Sequence, residues 1–159
     1  MATNPRRCTR DVSNGAVSAI GEALASEDVL IHQWVAIVAA IVLGLLVVFQ
    51  LLLAAGLPLG RAAWRGKYRV LPSGLRWASL AAAAVLGFAA WVVLVRAGVV
   101  APGPESIAIR AGTWVFAGFF FLNALGNVTS QSRVERYVMT LVVLFLGVSF
   151  IVVALSAAG

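Results

Sequence analysis

Apolar residues occur along this chain in four long runs that are nearly free of charge. The runs extend from Val29 to Gly60, Trp77 to Val95, Ala111 to Ser130 and Tyr137 to Gly159. Each is long enough to cross a hydrocarbon layer of about 30 Å as a helix, which takes roughly 20 residues. Backbone groups in lipid need hydrogen-bond partners within their own segment, which favours helices. The pattern therefore predicts an all-α, polytopic membrane protein: a four-helix transmembrane bundle.

The spans are expected at about residues 30–57, 77–96, 110–130 and 137–157, in one transmembrane domain covering residues 29–159. Residues 1–28 are expected to form an extracytoplasmic tail. Apolar residues recur there at four-residue spacing from Val12 to Leu24, which is typical of a short amphipathic surface helix, and disorder is the alternative. The composition agrees with a membrane protein, because 62% of the residues are hydrophobic and only 11% are charged.

Positive charge is concentrated in the connections between the runs. The first connection contains five cations and no acid, namely Arg61, Arg65, Lys67, Arg69 and Arg76, and the third contains Arg133 and Arg136. Cytoplasmic loops carry an excess of Lys and Arg, so both connections are predicted to be cytoplasmic and both termini to be outside. Arginine outnumbers lysine, and Ala, Val and Gly are abundant, which is typical of a GC-rich bacterial genome. We therefore expect a multi-pass protein of the bacterial cytoplasmic membrane.

The five cations of the first connection have two interpretations. They are the topology signal just described, and this function alone accounts for them. They also predict contact with the anionic headgroups of membrane lipids, at about 1 kcal/mol for each charge near the surface. Anionic lipids are accordingly the first expected partners of this chain.

Six polar residues within or beside the spans form a candidate intramembrane cluster: Gln50, Ser79, Asn123, Asn127, Ser130 and Thr140. Asn123 and Asn127 lie one helical turn apart on the same face of the third helix, and Ser130 continues this stripe. Such residues hold helices together in lipid through interhelical hydrogen bonds. The alternative is a polar vestibule open to the cytoplasm, which accepts a lipid headgroup or a small polar solute.

Signatures of catalysis, metal binding and cofactor binding are missing from the sequence. His32 is the only histidine and Cys8 the only cysteine, and no acid, Lys or Arg is predicted deep within a span. The sequence therefore predicts no catalytic residue, metal site or cofactor, and no nucleic-acid partner. Glu135 receives a structural role, because Ser132 and Glu135 have the spacing of a capping box at the start of the fourth helix. Ser73 is the predicted N-cap of the second helix.

Two stretches carry a resemblance to known proteins. The segments 71–79, LPSGLRWAS, and 127–136, NVTSQSRVER, resemble small four-span membrane proteins of unassigned function from actinobacteria and other bacteria. The resemblance covers about residues 30–158. It implies the same topology and supplies no activity, cofactor or site residue.

These observations lead to two expectations about function. The first is a non-enzymatic integral membrane protein that acts as an accessory subunit or a lipid-associated component. Its expected partner is another membrane protein or a second copy. Four spans can close a bundle alone, or two copies can pair through the small-residue face around Ala83, Ala84, Gly87 and Ala90. The alternative is a small channel or carrier whose cytoplasm-facing vestibule is lined by Asn123 and Asn127.

Overall fold

The computed structural model describes residues 5–63, 67–100 and 106–155, and the side chains of these residues except 5–20, 25 and 62. Four long helices follow one another: α1 (Pro5–Ala54), α2 (Ser73–Arg96), α3 (Ile107–Val128) and α4 (Thr140–Leu155). A 3-10 helix, Gly60–Ala62, lies between α1 and α2, and a π-helical turn, Val134–Met139, leads into α4. Within this part of the chain, four helical segments are long and apolar enough to cross a membrane. The predicted all-α four-helix bundle is confirmed.

Helix α1 is much longer than a membrane span. Its 50 residues correspond to about 75 Å at the helical rise of about 1.5 Å per residue. The segment with spanning character is Gly21–Ala54, and the first buried residue among the described side chains of α1 is Ala36. The helix begins at Pro5 and shows no break near residue 28, so the segment expected to be a separate tail continues the first span. The side chains of the predicted apolar stripe before residue 21 lie outside the described ones.

Two glycines end helices by the same device. Gly56 and Gly98 have φ angles of 90° and 68°, a region that favours glycine because it has no Cβ. After α1, the Gly56 and Leu57 amides donate to the carbonyls of Leu53 and Leu52, at 3.0 and 3.2 Å. This double hydrogen bond is a Schellman motif, and the same pattern around Gly98 ends α2. Helix α1 therefore ends at Ala54, four residues before Pro58.

The helices α2 and α3 begin with different capping groups. Ser106 is the N-cap of α3, and its hydroxyl accepts a hydrogen bond from the Ala108 amide at 3.2 Å. Pro72 occupies the N-cap position of α2, and Ser73 is already the first helical residue, without a side-chain capping bond. The prediction of Ser73 as an N-cap is therefore wrong. An extended Pro72 brings its own carbonyl to the amides of Leu75 and Arg76, at 3.0 and 3.1 Å.

The bundle is built from two helical hairpins. Helix α1 packs mainly against α2, and α3 against α4, while α1–α4 and α2–α3 contacts close the bundle. Small residues face large ones in the core, where Ala36, Ala39 and Ala89 are fully buried. Phe116, Phe120 and Phe150 form the aromatic centre, with 5.2 Å between the ring centroids of Phe120 and Phe150. Such close aromatic pairs add to the stability gained from burial.

The two basic connections meet at one end of the bundle. The Ser132 hydroxyl, between α3 and α4, donates to the Arg61 carbonyl, between α1 and α2, at 3.0 Å. We call this the basic end. At the opposite end, a guanidinium Nη2 of Arg96 donates to the Ala154 carbonyl in the last turn of α4, at 3.2 Å. A cation near a helix C-terminus is favoured by the helix dipole.

Candidate functional site

A cavity of about 340 Å³ lies inside the bundle near the basic end. All four helices contribute to its wall, together with Ala63 and the π-helical turn. Its lining consists of Leu46, Phe49, Gln50, Ala63, Ala82, Leu86, Phe119, Phe120, Asn123, Gly126, Asn127, Glu135, Met139 and Val143. This volume lies at the lower end of the range for small-molecule sites, about 300–1,000 Å³.

The cavity is polar at the basic end and apolar deeper in the bundle. Gln50 lies four residues before the end of α1, Asn127 lies one residue before the end of α3, and Glu135 precedes α4. The deeper wall consists of residues such as Leu46, Leu86 and Phe120, one or more turns farther from the basic end. The polar stripe proposed from the sequence thus contributes Asn123 and Asn127 to one wall, opposite an amide from α1.

Glu135 is the acidic residue of this lining, and its side chain is only 9% exposed. It belongs to the π-helical turn Val134–Met139, whose wider spacing also places Met139 on the cavity wall. The Glu135 carbonyl accepts the Thr140 amide and the Thr140 hydroxyl, the latter at 3.2 Å. Isolated π-helical turns are rare and frequently occur at functional sites.

The Glu135 carboxylate is held by the hydroxyl of Ser130, which donates to its Oε2. Ser130 is itself 1% exposed and accepts a hydrogen bond from the Ser132 amide at 3.1 Å. The Ser132 hydroxyl accepts the Glu135 amide at 3.5 Å, which is one half of the predicted capping box. Ser130 thus stands between the two residues of the predicted box, bonded to the amide of one and the carboxylate of the other.

Arg136 closes this network from outside the cavity. Its Nε and Nη2 donate to the Ser130 carbonyl at 3.1 and 2.7 Å. The side chain is exposed and is not part of the cavity lining. This fork secures the backbone of the α3–α4 connection and leaves Glu135 as the ionisable group of the lining among the described residues.

Within the described part of the chain, the side-chain amides of Asn123 and Gln50 form no hydrogen bond between helices. The Asn123 Nδ2 donates to the Phe119 carbonyl, one turn earlier in α3, at 2.8 Å. The Gln50 Oε1 is buried and has no hydrogen-bond partner within the described part of the chain. A buried acceptor without a partner costs roughly 1–3 kcal/mol, which a bound donor would recover.

The other residues of the predicted polar cluster lie away from the cavity wall. Ser130 and Thr140 support Glu135 through the bonds described above. Ser79 is fully buried in α2. The structure therefore brings together Gln50, Asn123 and Asn127, places two hydroxyls behind Glu135, and leaves Ser79 outside the cavity lining.

The predicted lipid-contacting cations divide into two groups. Arg61, Lys67 and Arg69 are exposed, and the Lys67 ammonium lies 5.5 Å from the centre of the Tyr68 ring. Arg76 is half-buried instead: its Nε donates to the Leu71 carbonyl at 3.0 Å, and its guanidinium lies against Gly56. Arg76 therefore secures the α1–α2 connection. Arg65 lies outside the described residues.

The capping-box pattern predicts only a structural role for Glu135, and its place in the cavity was not predicted from the sequence. A signal was present, because a single residue, Arg136, separates it from the fourth apolar run. The distance from the membrane boundary said nothing about which side of the helix the carboxylate occupies. That direction depends on the π-helical turn, which has no recognised sequence pattern here.

No protein-family model, curated protein or solved structure matches this chain.

Proposed function

We propose that this chain is a non-enzymatic, solute-binding protein of the bacterial cytoplasmic membrane, a small channel or carrier. In this proposal the cavity is a vestibule that opens at the basic end, and the basic end faces the cytoplasm. The observation that carries the proposal is the cavity itself, because residues from all four helices line it and its polar side chains gather at one end.

The hydrogen bonds of the amides support a vestibule over helix packing. If Gln50 and Asn123 held helices together, their polar atoms would bond across the bundle. Asn123 bonds its own helix instead, and the Gln50 Oε1 has no partner within the described residues. The amide groups that do not connect helices are therefore suited to hydrogen-bond water or a solute.

Thiol labelling in sealed membrane vesicles tests the vestibule. Cys8→Ser supplies the background, and Asn127→Cys places a thiol on the cavity wall. Leu122→Cys is the matched control, because Leu122 lies on the same helix and is 70% exposed on the surface expected to face lipid. We expect a water-soluble maleimide to label Asn127→Cys at least about tenfold faster than Leu122→Cys, since the reaction needs an ionised thiol in water.

Equal, slow labelling at the two positions in a folded protein would contradict the vestibule. It would indicate that the polar stripe is closed against a neighbouring helix. Circular dichroism of each variant checks that the helical content is unchanged. The labelling rates then describe the folded protein.

A second candidate is a lipid-associated component or an accessory subunit of a membrane complex. The exposed cations Arg61, Lys67 and Arg69 favour it, because they lie together at the basic end. We expect the double variant Lys67→Gln, Arg69→Gln to retain less phosphatidylglycerol through purification, as measured by native mass spectrometry. Arg110→Gln at the opposite end is the control, and an equal loss of lipid there would contradict a specific contact.

A further inference from the structure

We propose that the cavity opens sideways into the membrane between α2 and α3 and binds a lipid with an uncharged hydroxyl or amide headgroup. The headgroup would lie among Gln50, Asn123 and Asn127, and the lipid chain would leave between the two helices. This inference rests on the proposed vestibule, to which it adds the class of ligand and its route of entry. The juxtaposition that supports it is an amide-lined cavity whose α3 wall is exposed on the side of the bundle.

Helices α2 and α3 contact each other at the end of the bundle opposite the basic end. A Cβ atom at Gly112 of α3 would lie 3.6 Å from a methyl group of Val92, and Val92 is only 1% exposed. The Phe88 and Phe116 rings pack edge to face, with 5.8 Å between their centroids. A glycine at such a position allows two helices to approach closely. The two helices are therefore in close contact at this end.

The same faces of α2 and α3 are exposed nearer the basic end. Phe119, Asn123 and Gly126 lie 7, 11 and 14 positions after the glycine that contacts α2, a spacing that keeps them on one side of α3. All three line the cavity, yet Phe119 is 38% exposed, and Asn123 and Gly126 are exposed as well. On α2, Val85 lies seven residues before the buried valine of that contact and is 40% exposed. We call the gap bordered by these four residues the lateral opening.

The lateral opening lies at the depth of lipid chains. Helix α3 has 22 residues, so its length of about 33 Å matches a hydrocarbon layer of about 30 Å. Asn123 lies five residues before the last residue of this helix, which places it about 7 Å from the boundary at the basic end. A molecule that enters from the side at this depth comes from the membrane, whereas a water-soluble molecule would enter at the basic end.

The order of polarity in the cavity matches a lipid of the adjacent leaflet. Gln50 and Asn127 lie near the basic end, and Leu86 and Phe120 lie deeper in the bundle. A lipid of the leaflet at the basic end likewise has its headgroup at the interface and its chains toward the bilayer centre. The cavity of about 340 Å³ holds a headgroup and the start of a chain. The rest of the chain would therefore extend through the lateral opening.

The hydrogen-bonding groups of the cavity favour a headgroup that both donates and accepts. A side-chain amide has an oxygen acceptor and two N–H donors. Asn123 uses one donor on the Phe119 carbonyl, and the Gln50 Oε1 is buried without a partner in the described chain. Hydroxyl and amide groups match this mixed set. Among the residues that the structure describes, no Lys or Arg lines the cavity, and these are the side chains that bind a phosphate headgroup.

Native mass spectrometry of the full chain in detergent micelles tests the class of ligand. Three probes share one oleoyl chain and differ in headgroup charge: monooleoylglycerol, oleoyl lysophosphatidic acid and oleoylcholine. We expect monooleoylglycerol to bind at least about tenfold more tightly than the two charged lipids, because a charge is costly to bury without a paired charge. Glycerol has the headgroup without the chain, and we expect it not to compete, because it buries no apolar surface.

A pair of leucine variants tests the lateral opening. Gly126→Leu places a side chain in the opening, and Gly118→Leu places the same side chain on the exposed surface of α3, outside the cavity lining. No atom lies within 4 Å of a Cβ added at either glycine, so neither substitution clashes at that atom. We expect Gly126→Leu to weaken monooleoylglycerol binding at least about tenfold and Gly118→Leu to leave it unchanged.

Removal of one amide tests the contact with the headgroup. Asn123→Leu keeps a side chain of similar size and removes its hydrogen-bonding groups. It is expected to weaken monooleoylglycerol binding about three- to tenfold, the range for one lost hydrogen bond. Unchanged binding in this variant would overturn the position of the headgroup.

The outcomes separate this inference from the proposed function. Equal effects of Gly126→Leu and Gly118→Leu would overturn the lateral opening, and competition by glycerol would overturn the lipid class. A charged lipid that binds as tightly as monooleoylglycerol would overturn the uncharged headgroup. A dimer without bound lipid that is lost in Gly126→Leu would assign the opening to a second copy of the chain.

The labelling of Asn127→Cys distinguishes the failure of one proposal from the failure of both. If no lipid probe binds and Asn127→Cys is labelled rapidly, the lipid inference fails and the vestibule stands. If no lipid probe binds and Asn127→Cys stays unlabelled, both proposals fail.

Discussion

Ser132 joins the α1–α2 connection to the π-helical turn through one hydroxyl group. The hydroxyl donates to the Arg61 carbonyl in the α1–α2 connection and accepts the Glu135 amide at the start of the π-helical turn. The Ser132 amide adds a bond to Ser130, which in turn holds the Glu135 carboxylate. A single side chain thus connects the two basic loops to the wall of the cavity.

Removing this hydroxyl is expected to destabilise the bundle. Ser132→Ala should lower the free energy of unfolding by about 0.5–2 kcal/mol, the range for the loss of a helix cap. Ser73→Ala is the control, because Ser73 is exposed and makes no capping bond. Titration of the detergent-solubilised protein with sodium dodecyl sulfate, followed by circular dichroism, measures both values. A Ser73→Ala loss as large as that of Ser132→Ala would contradict the assignment of the cap.

The α1–α2 connection is tightly packed around Gly60. Gly60 begins the 3-10 helix, and its amide donates to the Arg69 carbonyl at 3.1 Å. A Cβ atom at this position would lie 2.7 Å from the Tyr68 carbonyl oxygen and 2.6 Å from a Leu71 methyl group. The two sides of the connection therefore approach so closely that only a hydrogen atom fits between them.

A pair of glycine variants tests this close approach. Gly60→Ala is expected to lower the free energy of unfolding by about 1–3 kcal/mol, because backbone has to move. Gly74→Ala is expected to raise it by roughly 0.5–1 kcal/mol, since Gly74 lies in the first turn of α2 with no atom within 4 Å of the added methyl group. The same unfolding titration measures both changes. Equal signs for the two variants would contradict the packing of this connection.

At the scale of helices, only part of the small-residue face of α2 that was predicted for pairing is exposed. Ala83 is buried in the bundle, whereas Ala84 and Gly87 are exposed and Ala90 is half-buried. Helix-forming periodicity alone places these residues near one another, but it does not say which of them the other three helices cover. Of the four residues, Ala84 and Gly87 are thus the ones that remain exposed on the outer surface of the bundle.

Orientation is a property of the whole molecule and follows from the distribution of its cations. Arg69→Cys in the Cys8→Ser background is expected to react with an impermeant maleimide only from the cytoplasmic side. Arg110→Cys, exposed at the start of α3, is expected to react only from outside. Sealed vesicles of known sidedness give both results. The reverse pattern would turn the vestibule toward the outside and contradict the predicted N-out, C-out topology.

The sequence alone determined the fold class and the approximate positions of the four spans. This was possible because the hydropathy of a segment is a local quantity, and a helix in lipid satisfies its own backbone. It also indicated the face that carries Asn123 and Asn127, because helical periodicity follows from spacing. The exact ends of the helices depended on local hydrogen bonds, as at Gly56 and Ser73.

Only the tertiary structure decided what the polar residues face. Glu135 enters the cavity because a π-helical turn and bonds from Ser130 and Ser132 orient it, and these contacts join connections that are far apart in sequence. Gln50 faces the same cavity because α1 packs beside α4 and α2. A cavity is formed by several helices at once, so no single segment of the sequence contains the information that defines it.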